Sequence, residues 1–109
     1  MATVNYPILG QAIPAAATPA DLYTVGASIQ TVGSTITVCN QSTATTFRIA
    51  IRKAGATLTA KQYINYDSPL VANETKYITI GFTLQATDVI TVQSASGSVS
   101  FNAFGSEIS

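Results

Sequence analysis

The sequence has no histidine and no tryptophan, a single cysteine, and only five basic and five acidic residues among 109. Without histidine, the commonest general base and the commonest metal ligand are both missing. The carboxylates Asp21, Asp67, Glu74, Asp88 and Glu107 stand isolated in sequence, so no acid/base pair of the glycosidase kind is marked out. Asp67 and Asp88 read more simply as turn residues. No glycine-rich phosphate loop, nucleophile elbow or cluster of calcium ligands is present. These absences predict a protein that is not an enzyme, with no catalytic residue, no cofactor and no metal. Cys39 has no partner for an intrachain disulfide or a cysteine metal site. Its neighbours Thr37, Val38, Asn40 and Gln41 supply none of the positive charge that activates a thiolate, and it is expected to pack as a small hydrophobe.

Charge is the other scarcity. Charged residues make up 9% of the chain and formal net charge is zero, against roughly 25% charged in an average soluble domain. Three of the five basic residues, Arg48, Arg52 and Lys53, fall together, too few for the stripe that binding to phosphate backbones needs, so nucleic acid is not an expected partner. No apolar run approaches the roughly 18 to 20 residues of a membrane helix, because prolines interrupt the Ala-rich start and threonines the rest. No membrane partner is expected. Met1-Ala2-Thr3-Val4 has no positive segment leading into an apolar one, which predicts synthesis in a cytoplasm. A near-neutral surface poor in charge favours association, so the chain is expected to pair with other copies of itself, as a trimer.

What is present is alternation. In Thr45–Arg52, Phe47, Ile49 and Ile51 alternate with Arg48, Ala50 and Arg52, which in an extended strand puts one set in a core and both arginines on the opposite face. Similar runs occur at Leu22–Val25, Ser28–Thr31, Thr35–Cys39, Gln62–Tyr66, Tyr77–Phe82, Val89–Gln93 and Val99–Ala103. Thr35–Cys39 and Thr45–Arg52 are read as a hairpin, and Asp67-Ser68-Pro69 as the close of the strand before it. Short strands at this spacing predict an all-β, single antiparallel β-sandwich of jelly-roll or immunoglobulin-like type, with about eight strands over residues 18–109. The expected core is Ile36, Val38, Phe47, Ile49, Ile51, Ile78, Ile80, Val89 or Ile90, and Phe101.

Residues 1–17 read as an extended N-terminal arm, because Pro7 and Pro14 fix φ and remove ladder donors. Tyr6, Ile8, Leu9 and Ile13 on it need cover, either from the arm's own domain or from a neighbouring subunit. With Arg48 and Arg52, possible bidentate anchors, they are the candidate interface residues. The tyrosines Tyr6, Tyr23, Tyr63, Tyr66 and Tyr77 fit strand packing better than a sugar-stacking face.

Several stretches carry a family likeness: 18–25, Val38-Cys39-Asn40, 42–49, Ala86-Thr87-Asp88-Val89-Ile90-Thr91-Val92, and above all Ser100-Phe101-Asn102-Ala103-Phe104-Gly105-Ser106-Glu107-Ile108. From Thr18 onward the chain resembles small virion structural proteins of tailed bacteriophages, including phages of cyanobacteria. The resemblance implies a β-sandwich particle component with no catalytic residues, placed in the virion after assembly in the host cytoplasm. Its role would be a capsid decoration or cement subunit stabilising the shell. The alternative is a tail, baseplate or fibre component contacting other tail proteins or a host surface receptor such as a glycan. Partners would be other copies of the chain and phage capsid or tail proteins.

Overall fold

A computed structural model of the protein describes residues 3–109, which form the strands β1 (Val4–Asn5), β2 (Ile8–Ala12), β3 (Ala20–Thr24), β4 (Gln30–Asn40), β5 (Thr45–Arg52), β6 (Tyr63–Leu70), β7 (Thr75–Ile78), β8 (Phe82–Leu84), β9 (Val89–Ser94) and β10 (Val99–Ile108). One sheet runs β1-β10-β4-β7, with β2 beside β10 and β8 beside β4; the other runs β3-β9-β5-β6. All pairings are antiparallel. Because β1 and β2 share one partner strand and β7 and β8 another, each pair acts as a single broken edge strand. Counted that way there are eight strands, and the chain crosses between sheets at every step except the β5–β6 hairpin. That double Greek key is a jelly roll.

The crossings overturn the expected hairpin between 35–39 and 45–52, since β4 and β5 lie in different sheets. Asn40 is the physical reason. Its buried side chain donates from Nδ2 to the carbonyls of Thr43 and Val71, each at 2.9 Å, and its Oδ1 accepts the Ser42 N–H at 3.1 Å. A fully buried amide that met none of these would destabilise the fold by about 1 to 3 kcal/mol per unsatisfied group. The link is thereby tied to the end of β6, and it cannot fold back on β4.

Between the sheets lie Ile36, Val38, Val99, Phe101 and Ala103 from one side and Phe47, Ile49, Ile90 and Val92 from the other. Phe47 and Phe101 meet edge to face at 6.3 Å. Ile51 and Ile78 pack at the margin of this core. Val89 and Ile90 are both buried, because β9 is covered on both sides. Ile90 enters the core, and Val89 lies under the turn Lys53–Gly55 on the outer side.

Ile80 is not in the core and is 55% exposed. The run from Tyr77 to Phe82 breaks at Thr79–Gly81, where Gly81 has φ +64°, so the period-two phase that predicted Ile80 inside is lost. Nor are the runs 28–31 and 35–39 two strands: β4 continues through Gly33, where a Cβ would collide with the ring of buried Phe82. Nor does β6 stop at Asp67. It continues through Pro69 to the buried Leu70, which an edge strand allows because proline's missing donor faces no neighbour.

The described part of the N-terminal segment forms the outer edge of the first sheet; Met1 and Ala2 lie outside the described residues. Val4 pairs with Ile108, Ile8 with Phe104 and Ala12 with Phe101. Thr3 and Ser109 exchange backbone hydrogen bonds of 2.8 and 2.9 Å. Leu9 packs against the core, while Tyr6, Ile8 and Ile13 stay exposed.

Candidate functional site

The molecule is a slab of 48 × 27 × 20 Å, so its chemistry is presented on the outer sides of the two sheets. On the outer side of β3-β9-β5-β6, register places Asp21 beside Thr91, Thr91 beside Ala50 and Ala50 beside Tyr63. Arg52 reaches across this row. Its Nε donates to Thr91 Oγ1 at 3.0 Å, its Nη2 to Asp21 Oδ1 at 3.0 Å, and its Nη1 to the carbonyls of Gly55 and Ala56 at 3.3 and 3.2 Å. One guanidinium thus ties β3, β5, β9 and the following turn, a use of its planar fork that lysine could not match. Ala50, expected on the solvent side, is fully buried beneath this layer.

Arg48 forms the second cluster. Its Nε and Nη2 donate to the two carboxylate oxygens of Asp67 at 2.7 and 3.2 Å, and its Cζ lies 4.0 Å from the Tyr66 ring centroid. The hydrogen bond from Arg48 holds the Asp67 carboxyl below the usual carboxylate range, and the same bond raises Arg48. Asp67 is therefore an ion-pair partner inside a strand rather than a turn residue. Nothing in local sequence links positions 48 and 67; only the β5–β6 pairing does.

The outer side of the other sheet contrasts with this. Register aligns Gln11, Asn102, Thr37 and Tyr77 in one row, Ile8, Phe104 and Thr35 in a second, and Ser100, Cys39 and Thr75 in a third. These rows contain no lysine, arginine, aspartate or glutamate. Tyr77 is 70% exposed, and Ile8 and Phe104 stand side by side on the surface. Cys39 is free and half-buried on this outer face, opposite to Ile36 and Val38. Of the candidate interface residues, Ile8 belongs to this face, Tyr6 and Ile13 are exposed on the same edge segment, Leu9 points into the core, and Arg48 and Arg52 lie on the opposite side.

One polar cluster that sequence reasoning missed joins the sheets. The buried Tyr23 hydroxyl on β3 donates to Glu107 on β10 and pairs with Thr31 Oγ1 on β4 at 2.7 Å. Burial first, and then the bond to Glu107, push the Tyr23 phenol up to about 12. Glu107 lies 84 positions away, so the link becomes visible only when β3, β4 and β10 are assembled. Among the described residues no three His, Cys, Asp or Glu side chains gather in a way that could hold a metal ion, and no buried side-chain polar atom lacks a partner.

No protein-family model matches the chain, and no curated protein matches it. Among solved structures it is similar to a chain from Bacillus endospore appendages, which form a family of disulfide-linked pili. The TM-score is 0.55 at 20% identity, over 98% of this chain and 85% of that one. It is also similar to a chain from infectious bursal disease virus, Gx strain, with a TM-score of 0.52 at 14% identity, over 99% of this chain but 31% of that one. At these identities the likeness is one of fold; the chain has the β architecture of a pilus-forming chain and of part of a viral one, and no phage family is identified.

Proposed function

We propose that the protein is a non-enzymatic structural subunit of a bacteriophage particle, a capsid decoration or cement protein that assembles as a closed trimer. The observation that carries the reading is the uncharged outer face of β2-β10-β4-β7, where Ile8, Phe104 and Tyr77 stand among Thr, Ser, Asn and Gln side chains. Such a face meets no desolvation penalty for charges when covered. Support also comes from the fold shared with a pilus-forming chain. Tyr6 and Ile13 extend the surface along the sheet edge. Arg48 and Arg52 already have in-chain carboxylates, so the assembly contact rests on the arm and the uncharged face.

Magnitudes favour a closed assembly over a single pairwise contact. Covering Ile8, Phe104 and Tyr77 would contribute about 1.5 to 3 kcal/mol each, against about 4 to 15 kcal/mol for lost translational and rotational freedom. One contact is marginal. A closed ring docked at several points on a shell gains from effective concentration.

Analytical ultracentrifugation of the full chain should give a trimer, and Ile8→Lys with Phe104→Lys should give a folded monomer. A wild-type chain that stays monomeric at high concentration would overturn self-assembly. Copy number in purified particles tests position: a full lattice complement is expected, and a handful of copies would instead indicate the tail.

A further inference from the structure

The outermost strands of a sheet carry unpaired N–H and C=O groups, and a protein that is not to add strands at random has to guard them. On one side of this molecule the two sheets close on each other. There β2 lies so near β3 that a Cβ on Gly10 would meet the Leu22 carbonyl oxygen, and β1 is two residues long and followed by Tyr6-Pro7. The opposite side presents the edges of β6, β7 and β8. β6 is bulged, because its register against β5 steps from Phe47–Ser68 directly to Ile49–Asn65, and it contains Pro69. β7 sets the half-buried Lys76 opposite Val38, on the inward side of its sheet, and an inward charge at an edge discourages a further strand. β8 has neither device. It pairs with β4 without a register shift, through Leu84–Thr31, Thr83–Val32 and Phe82–Gly33, and the whole run from Tyr77 to Thr87 contains no lysine, arginine, aspartate, glutamate or proline. Three residues make a short edge, but its uncharged flanks lengthen it, and the nearby Ile80 and Val32 are 55% and 45% exposed. A cleft of about 540 Å³ lies beside it, lined by Thr83, Leu84 and Gln85 and by Ile51, Lys53 and Asp88 from the ends of β5 and β9. The side of β8 away from β4 is therefore uncovered.

We propose that β8 is an interaction edge that pairs antiparallel with β8 of a second copy, about a two-fold axis at Thr83, and so joins the first sheets of the two copies into one. Such a strand is its own complement, because in an antiparallel two-fold pairing the N–H and C=O groups of each copy meet the C=O and N–H groups of the other. No charge in the run is set against its like. Thr83 is the middle residue of β8 and the one whose side chain is exposed, while Phe82 and Leu84 stay buried in their own core. Centring on it sets Phe82 against Leu84 of the second copy, Gly81 against its Gln85 and Ile80 against its Ala86. The two Thr83 side chains then stand opposite each other, where cross-strand threonine pairs are favourable, and the exposed Ile80 gains cover. Lys53 and Asp88 beside the edge carry opposite charges, so neither sign accumulates there. A foreign strand could use the same main-chain groups, but it would need a sequence that matches, and a second copy needs none. The edge lies across the sheet from Ile8 and Phe104, so it can hold or fail without the face contact of the proposed trimer. Where both hold, it links one trimer to the next.

The test follows amide chemical shifts of the isotope-labelled full chain on dilution from about 1 mM to about 10 µM, in the wild type and in Ile8→Lys with Phe104→Lys, where the outer face is blocked. In both, the amides of Phe82, Thr83, Leu84 and Gln85 should move with concentration. A mixture of labelled and unlabelled chains should show contacts between the Thr83 methyl groups of two copies. Thr83→Lys and Thr83→Glu, made separately, should each weaken the association about fivefold, because like charges then face each other, and an equimolar mixture of the two should restore it. Thr83 is exposed, so both variants are expected to keep the wild-type amide pattern elsewhere. Amides at 82–85 that ignore concentration, as they would if β8 served a foreign strand, would overturn the proposal. So would a mixture of the two variants that associates no better than either alone. A trimer that forms through the outer face while β8 stays unmoved would sink the edge contact and leave the proposed function standing.

Discussion

The outer side of β3-β9-β5-β6 holds Arg48, Arg52, Asp21 and Asp67 in two ion pairs, whereas the outer side of β2-β10-β4-β7 offers threonines, amides and exposed Ile8, Phe104 and Tyr77 without a charge. The first face satisfies itself. Each of its guanidinium groups is matched by a carboxylate of the same chain, so it offers a partner no unmatched charge. The second face is neither repelled by like charges nor occupied by its own contacts, so it is the one that association can use. Where a protein spends a scarce supply of charge therefore says as much about its interfaces as where it exposes hydrophobic groups.

Both faces rest on one core, so the largest perturbation should remove the contrast altogether. Phe101→Ala deletes the ring that meets Phe47 and is expected to lower stability by about 3 to 5 kcal/mol, measured by urea unfolding. Next comes the polar link between the sheets. Below pH 10 the Tyr23 phenol is protonated whether folded or unfolded, and its contribution is fully present. Above pH 10 the unfolded phenol ionises first, and stability should fall by up to about 2 kcal/mol until the folded phenol ionises at about 12. Unfolding measured from pH 9 to 12 should show this slope in the wild type and a shallower one in Tyr23→Phe.

The smallest effects separate the faces directly. Arg52→Ala should lower stability by about 1 kcal/mol, because it releases Asp21, Thr91 and the carbonyls of Gly55 and Ala56 together. Thr37→Ala on the uncharged face should stay within about 0.5 kcal/mol. Equal losses from the two would mean that the faces do not differ in self-sufficiency. The exposed Arg48–Asp67 pair should matter less than Arg52, and its contribution should weaken with salt. Because the Asp67 carboxyl is held low, that contribution is present above the ordinary carboxylate range and is lost as pH falls through the lowered value.

Local alternation determined a good deal of this protein. Ile36 with Val38, Phe47 with Ile49, and Val99 with Phe101 and Ala103 could each be assigned to an inward face from the sequence, because side-chain direction in a strand depends only on position along the backbone. The all-β class and the scarcity of charge were equally legible. Strand partners were not: a hairpin and a crossover begin with the same turn residues, and the choice between them fell to Asn40, whose amide reaches the Val71 carbonyl only when β6 arrives. Ile80 left the core because one left-handed glycine reset a phase that alternation assumes to be continuous. The ion pairs and the Tyr23–Glu107 link join residues from 19 to 84 positions apart. Tertiary structure alone decided these, since pairing is settled by burying two inward faces against each other, an energy that no single strand contains.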